Sequence, residues 1–306
     1  MRKLIVVGLG IQGKKRLAIA KDACVATVDP YQSADYKTVQ EVPLHLYEAA
    51  LVCTPDASKI EILRYLLSHG KHVLVEKPLF ADSEAALLEL QTLAIQRQVA
   101  CYTAYNHRFE PHFKRVKQLI DSGQLGHLYY ARLFYGNGTA RDVLHSPWRD
   151  KKGGVLPDLG SHLLDTILYW FGADAYDFCL TRCDRFENRS PDHVSFRSQR
   201  GLALDLEMSL LSYRNHFTCD LVGEKGSAHI ESLCKWGPST FIWRKRKLPS
   251  GRPEEEAVTL VQSDPTWEEE YHHFIERCRT KESNLANDLW INQVLQTLSE
   301  TAGVNT

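Results

Sequence analysis

The run Lys3-Leu4-Ile5-Val6-Val7-Gly8-Leu9-Gly10-Ile11-Gln12-Gly13, with Cys24-Val25-Ala26-Thr27-Val28-Asp29 behind it, decides the fold. A short apolar stretch leads into three glycines at Gly-x-Gly-x-x-Gly spacing, and a helical pattern runs from there through Ala20. A second apolar stretch then ends on an acid. Strand, glycine turn, helix, strand and carboxylate in that order are the context in which this glycine spacing binds a dinucleotide. The glycines allow a tight turn and close backbone approach to a pyrophosphate, which meets the positive end of the helix. Gly8, Gly10, Ile11, Gln12 and Gly13 are therefore candidate cofactor contacts. Asp29, 21 positions after Gly8, stands where a carboxylate accepts bonds from ribose hydroxyls and repels a 2'-phosphate, favouring NAD over NADP.

Downstream the pattern alternates as a parallel sheet requires. Strands are expected at Ala49–Thr54, His72–Val75 and Val99–Ala104, with helices from Pro55-Asp56 to about His69 and from Asp82-Ser83 to about Gln98. Ligands gather beyond the carboxyl ends of such strands. Thr54-Pro55, Glu76-Lys77-Pro78 and Tyr105-Asn106-His107-Arg108 all fall there. From about Gly126 the texture changes to runs of β-formers joined by short turns, which argues for a mostly antiparallel sheet. Residues 249–256 read as a mobile loop, and two amphipathic helices, about Trp267–Thr280 and Leu285–Thr301, close the chain.

Composition bounds the rest. With 306 residues, 43% apolar and 25% charged, the chain can bury two cores, and a net charge of −1 supplies no general nucleic-acid or anionic-membrane surface. The basic runs Lys14-Lys15-Arg16 and Arg244–Lys247 read as solvated faces. The eight cysteines are scattered, without Cys-x-x-Cys or zinc-site spacing, so reduced thiols and no metal are expected. The N-terminal residues start on a strand pattern rather than a secretory leader, and no apolar run is long enough to span a bilayer. The expected location is the cytoplasm.

The chemistry concentrates in Gly154-Val155-Leu156-Pro157-Asp158-Leu159-Gly160-Ser161-His162. Asp158 and His162 lie four residues apart, on one face of an expected helix running to about Phe171. A carboxylate and an imidazole on one rigid element can handle a proton, although such a pair alone is more often capping or solvated.

These features together resemble the glucose–fructose oxidoreductase/inositol dehydrogenase/rhizopine-catabolism (Gfo/Idh/MocA) family. The resemblance rests on the glycine turn, Glu76-Lys77-Pro78, Asn106 with Arg108-Phe109, Pro147-Trp148-Arg149, Gly153-Gly154 and Asp158-Leu159-Gly160-Ser161-His162. One departure is Val155, where the family pattern more often carries a third glycine. The resemblance implies an α/β chain: a Rossmann domain over residues 1–120 and, over 121–306, an α/β domain with a large, mostly antiparallel open sheet that carries substrate and makes homodimers or homotetramers. It also implies that the nicotinamide lies in a cleft between the domains and that the Lys77–Pro78 peptide is cis.

By the same resemblance the catalytic lysine, aspartate and histidine fall on Lys77, Asp158 and His162. Thr54, Pro55, Glu76, Asn106, Trp148 and Arg149 become further cofactor contacts. Tyr105 and Arg108 join the catalytic residues around a sugar, nucleotide sugar or cyclitol. Arg108, Arg141 and Arg149 suggest an anionic group and a lean toward a nucleotide-linked or acidic sugar. The expected activity is NAD-dependent oxidation or reduction at a secondary alcohol or ketone. Two alternatives stay open: a glycosidase that uses NAD transiently, and a non-catalytic nucleotide-responsive binding protein.

Overall fold

The computed structural model describes residues 3–81, 83–146, 149–150, 153–173 and 176–303. The chain begins with β1 (Leu4–Val7), α1 (Ile11–Ala20), β2 (Cys24–Val28), β3 (Ala49–Val52), α2 (Asp56–Ser68), β4 (His72–Glu76), α3 (Glu84–Arg97) and β5 (Cys101–Ala104). It continues with α4 (Pro111–Asp121), β6 (Leu128–Gly136), α5 (Ala140–Leu144) and α6 (Ser161–Phe171). A run of strands follows: β7 (Phe178–Asp184), β8 (His193–Ser198), β9 (Ala203–Ser209), β10 (His216–Gly223), β11 (Gly226–Glu231), β12 (Ser239–Lys245) and β13 (Glu254–Leu260). Two helices end it, α7 (Thr266–Thr280) and α8 (Leu285–Thr301).

Two compact units result, Met1–Asn106 with Thr266–Asn292, and His107–Pro265 with Gln293–Thr306. The division comes earlier than the expected 120/121 boundary, because α4 packs with the later strands. The return of α7 and the start of α8 to the first unit is a long-range event that chain order does not display.

The first unit holds a five-stranded parallel sheet in the order β2-β1-β3-β4-β5. Its strands read as continuous apolar runs because both faces are covered. Ile5, Val7, Val52 and Val75 pack with Leu63 and Leu66 of α2 and Leu87 and Leu90 of α3. Leu4, Val6, Leu51 and Leu74 pack with Ala20 of α1 and Phe274 and Cys278 of α7. Side chains just before α8 close the β5 edge: Ser283 Oγ accepts the Cys101 N–H, and the Asn284 amide bonds both polar groups of the Thr103 backbone. An edge covered this way does not recruit another strand. The strand order changes direction between β1 and β3, which places the glycine turn and Thr54-Pro55 at the switch point.

The second unit is an eight-stranded sheet, β13-β12-β11-β10-β6-β9-β8-β7, antiparallel except for the β6–β9 pair. One face is packed. Phe113 of α4 lies 5.0 Å from both Phe217 of β10 and Trp170 of α6. Strand β13 replaces part of the loop expected over 249–256, and β12 was not expected at all. The acidic start of β13 reads as loop in isolation, but its cross-strand partners are basic. Arg244 Nε meets Glu255 at 2.7 Å, Lys245 stands opposite Glu254, and Arg115 of α4 pairs with Glu256. Among the described residues no helix is long and apolar enough to cross a membrane.

The most demanding electrostatic feature of the first unit is Arg16, 1% exposed on α1. Its Nε donates to Glu76 at 2.7 Å, its Nη2 donates to Glu270 of α7 at 2.6 Å, and its guanidinium lies 4.3 Å from the Trp267 ring. Removing the cation from between two carboxylates, by Arg16→Met, should cost about 3 kcal/mol or more. Urea unfolding of the two proteins measures this; a loss below about 1 kcal/mol, the range of a surface pair, would show that the carboxylates do not depend on it.

Candidate active site

At the end of β1 the chain turns where no side chain fits. Gly8 has φ +89°, and a Cβ on Gly13 would sit 1.7 Å from the Gly8 carbonyl oxygen. The first turn of α1 therefore presses directly on the glycine loop. Gly10 caps α1 with no side-chain bond to the helix, the first turn carries no acid, and nothing lies within 4 Å of a Cβ built on Gly10. Open backbone N–H groups at the positive end of a helix suit a phosphate. Ile11 is 78% exposed, and Gln12 is exposed beside it.

Asp29 follows β2 and stays 7% exposed. Its Oδ2 accepts the Leu9 N–H at 2.6 Å, while Oδ1 accepts those of Tyr31 and Gln32 at 2.8 Å. Burial opposes its charge, but these three donors and Lys37 outweigh burial and hold its carboxyl below the usual range. The carboxylate thus locks the glycine loop and keeps one lone pair, on Oδ2, for a hydroxyl donor. This cradle fits the dinucleotide expected from the sequence.

At the carboxyl end of the same sheet, Lys77 follows β4, and its peptide to Pro78 is cis. The loop is tied down around it. Glu76 is held by Arg16, and the Leu79 carbonyl accepts from Asn292 at 2.8 Å. Lys59 of α2, 2% exposed, donates to the carbonyls of Glu76 and Pro78 and to Asp56, each at 2.7 Å. Thr54 and Pro55 follow β3, with Pro55 exposed at the start of α2. Asn106 is 7% exposed and donates to Thr266 Oγ1 at 2.8 Å.

Tyr105 is a correction. It is 1% exposed, and its hydroxyl donates to the fully buried Asp288 at 3.2 Å. Its ring belongs to the core of the first unit rather than to a substrate.

In the second unit Asp158 occupies a π turn, Leu156–Gly160, that runs into α6 at Ser161. One regular helix was expected there; π turns inside helices concentrate at functional positions. The approach to the turn depends on Gly154, which has φ +55° and no room for a Cβ, since one would lie 2.2 Å from the Pro191 carbonyl oxygen. Val155 N–H donates to that same oxygen at 2.8 Å. The departure at Val155 therefore leaves the required glycine in place.

Asp158 Oδ2 accepts from Arg149 Nη2 at 3.3 Å, each side chain about one-third exposed. A pair this open is worth about 1 kcal/mol or less. Trp148 lies outside the described residues.

His162 is 5% exposed and stacks on His107, with ring centroids 4.0 Å apart and planes 17° apart. Tyr135 stands edge-on to both rings, at 5.7 Å and 5.1 Å, and stacks on Trp236. Burial pushes the Tyr135 phenol up, and the nearby negative charges of Asp158 and Glu110 add to the effect, so it stays protonated. Lys235 Nζ lies 3.4 Å from His107 Nε2 and over the Trp236 ring. Glu110, 1% exposed, accepts the Cys234 N–H at 3.0 Å, and burial raises its carboxyl despite that bond and Lys235. Sequence reasoning did not select His107, Tyr135, Lys235 or Lys59. The one available signal was that His107 sits inside the strand-end run Tyr105–Arg108.

The structure brings Asp158, His162 and Arg149 together in the second unit, and the glycine turn, Asp29, Thr54, Glu76, Lys77 and Asn106 in the first. Two expected anion-binding arginines are committed elsewhere. Arg108 makes a two-pronged pair with the 1%-exposed Asp165 of α6, at 2.7 and 2.6 Å. Arg141 reaches Glu187 on the surface.

Comparison with known proteins agrees with this architecture. The model described as an oxidoreductase family with an NAD-binding Rossmann fold matches residues 2–105, and that of the GFO/IDH/MocA C-terminal domain matches residues 113–229. The NADP-dependent scyllo-inositol 2-dehydrogenase IolW of Bacillus subtilis is 33% identical over 41% of this chain and 35% of its own length. The NAD-dependent scyllo-inositol 2-dehydrogenase of the same organism is 24% identical over 76% of this chain and 67% of its own. The chain thus spans as little as about a third of the curated relatives it matches. The solved structure of levoglucosan dehydrogenase with NADH superposes with a TM-score of 0.83 over 99% of this chain and 97% of that one, at 16% identity. With both halves matched, the chain belongs to the Gfo/Idh/MocA oxidoreductase family.

Proposed function

We propose that this protein is an NAD-dependent dehydrogenase that moves a hydride between the nicotinamide and a carbon bearing a secondary hydroxyl on a sugar or cyclitol. The observation that carries the proposal is the buried imidazole of His162 one turn from Asp158, in a chain whose first unit retains Lys77 and a complete nucleotide cradle. When bound, NAD supplies the hydride acceptor. His162 takes the hydroxyl proton as the carbon–hydrogen bond breaks, and Lys77 donates a hydrogen bond to the same oxygen and stabilises its charge. Asp158, which accepts from Arg149, orients a hydroxyl of the substrate. Tyr135 and the His107 stack hold the imidazole in one orientation and exclude water from its face.

The preference for NAD rests on Asp29, whose charge is fixed by three backbone donors. The nearby Lys37 ammonium is already turned to the carbonyls of Asp29 and Gln32. With Arg108 and Arg141 engaged, a neutral polyol is preferred over an acidic or nucleotide-linked sugar, and the relatives named as inositol dehydrogenases support that class. Eight free thiols support a cytoplasmic setting, and the open face of the eight-stranded sheet is the proposed site of self-association.

Four outcomes test this. Lys77→Ala and His162→Ala should each lower kcat by about 10²–10⁴-fold while NADH affinity, read by fluorescence, stays near that of the wild type; near-normal turnover in both would refute the roles. Asp29→Ala should weaken NADH by about 1–3 kcal/mol and narrow its advantage over NADPH, and an unchanged ratio of the two affinities would reject the cofactor reading. Because the folded Asp29 carboxyl lies below its ordinary 3.8, its stabilisation is present above that value and disappears as pH falls through the lower folded value. The stability difference between wild type and Asp29→Asn should therefore be flat near neutrality and shrink only in strong acid. Finally, isothermal titration should show scyllo- or myo-inositol binding in preference to glucuronate and UDP-glucose; the reverse order would return an anion-binding site to consideration.

A further inference from the structure

Lys59 is a buried ammonium with three acceptors. Its carbonyl partners belong to the peptide units immediately before Lys77 and immediately after Pro78, so the two bonds bracket that dipeptide. The third partner, Asp56, supplies a counter-charge from the first turn of α2, where its own side chain is 45% exposed. All three distances are 2.7 Å. An ammonium has three tetrahedral donors and no acceptor, which matches three convergent oxygens; a glutamine amide has only two donors, confined to a plane. Other bonds act further out: Arg16 holds the Glu76 side chain and Asn292 holds the Leu79 carbonyl. Lys59 bonds the backbone on both sides of Lys77.

We infer that Lys59 is a positioning residue for Lys77. It sets the backbone from which the Lys77 side chain projects without itself touching substrate or cofactor, an inference that rests on the role proposed for Lys77 above. A side chain that must present one nitrogen to one oxygen loses efficiency when its origin shifts. Displacement by about 1 Å away from the chemistry can cost 10²-fold. The packing of α2 does not require the ammonium, because Leu63, Leu66 and Leu67 anchor that helix to the sheet.

The test uses Lys59→Met, which keeps an unbranched side chain one atom shorter and removes the donors. Lys77 in the wild type and the variant is acetylated with acetic anhydride, and its rate is followed by peptide mass spectrometry against Lys225 and Lys247 as references. The Lys77 rate should change about five-fold or more while the references hold, and kcat on the polyol that the wild type oxidises fastest should fall about 10–100-fold with NADH affinity and Tm little changed. A Lys77 rate and kcat within about two-fold of the wild type would overturn the inference. So would a uniform change at every lysine with parallel losses of Tm and NADH affinity, which marks a merely structural role. If Lys59→Met does not fold, Asp56→Ala, which removes the counter-charge at the surface, is judged by the same criteria. Lys77→Ala run alongside separates the two claims: full turnover there refutes the catalytic role of Lys77, whereas its loss beside a fully active Lys59→Met refutes only the positioning role.

Discussion

Arg16 keeps a full charge inside the first unit because two carboxylates meet it there. Burial works against the charge, and the attraction of Glu270 and Glu76 exceeds that penalty, so the guanidinium stays protonated throughout the accessible pH range. The geometry has consequences beyond stability. Arg16 lies in the helix that starts at the glycine loop, Glu76 is the last residue of the strand that delivers Lys77, and Glu270 lies on α7, which returns from far along the chain. One side chain therefore indexes the phosphate cradle, the lysine loop and the returning helix to one another. Lys59 repeats the device on the other side of the loop, with carbonyl oxygens in place of a second carboxylate.

The second unit orients the proposed proton acceptor by different means. His162 is oriented by ring stacking on His107 and by the edges of Tyr135, and Asp158 by a π turn that a glycine with positive φ makes possible. Aromatic walls favour one ring plane through the geometry of their contacts. Asp158 is about one-third exposed and pairs with Arg149 at 3.3 Å.

Much of this is legible in the sequence alone. The first strand–glycine–helix–strand–acid unit appears at the positions its residues dictate, because local steric demands at Gly8 and Gly13 and the burial of both sheet faces leave little choice. Lys77, with its cis peptide to Pro78, and the Asp158–His162 spacing were equally visible. What escaped was non-local. Tyr105 and Arg108 looked like cleft residues because they follow a strand end, yet Asp288 and Asp165, 183 and 57 positions away, claim them. The β13 strand hid behind its acidic start until β12 supplied the opposite charges. Lys59 and His107 matter through partners that no local pattern predicts.

The central claim is that hydrogen passes directly between a substrate carbon and the nicotinamide while His162 and Lys77 handle the oxygen. The most direct measurement is isotopic. A cyclitol carrying deuterium on its ring carbons is incubated with the protein and NAD, and the recovered NADH is analysed by mass spectrometry. The account predicts one deuteron on each NADH formed, and a marked loss of that product with His162→Ala. NADH without deuterium, or release of free sugar from a glycoside with no net NADH formed, would contradict it.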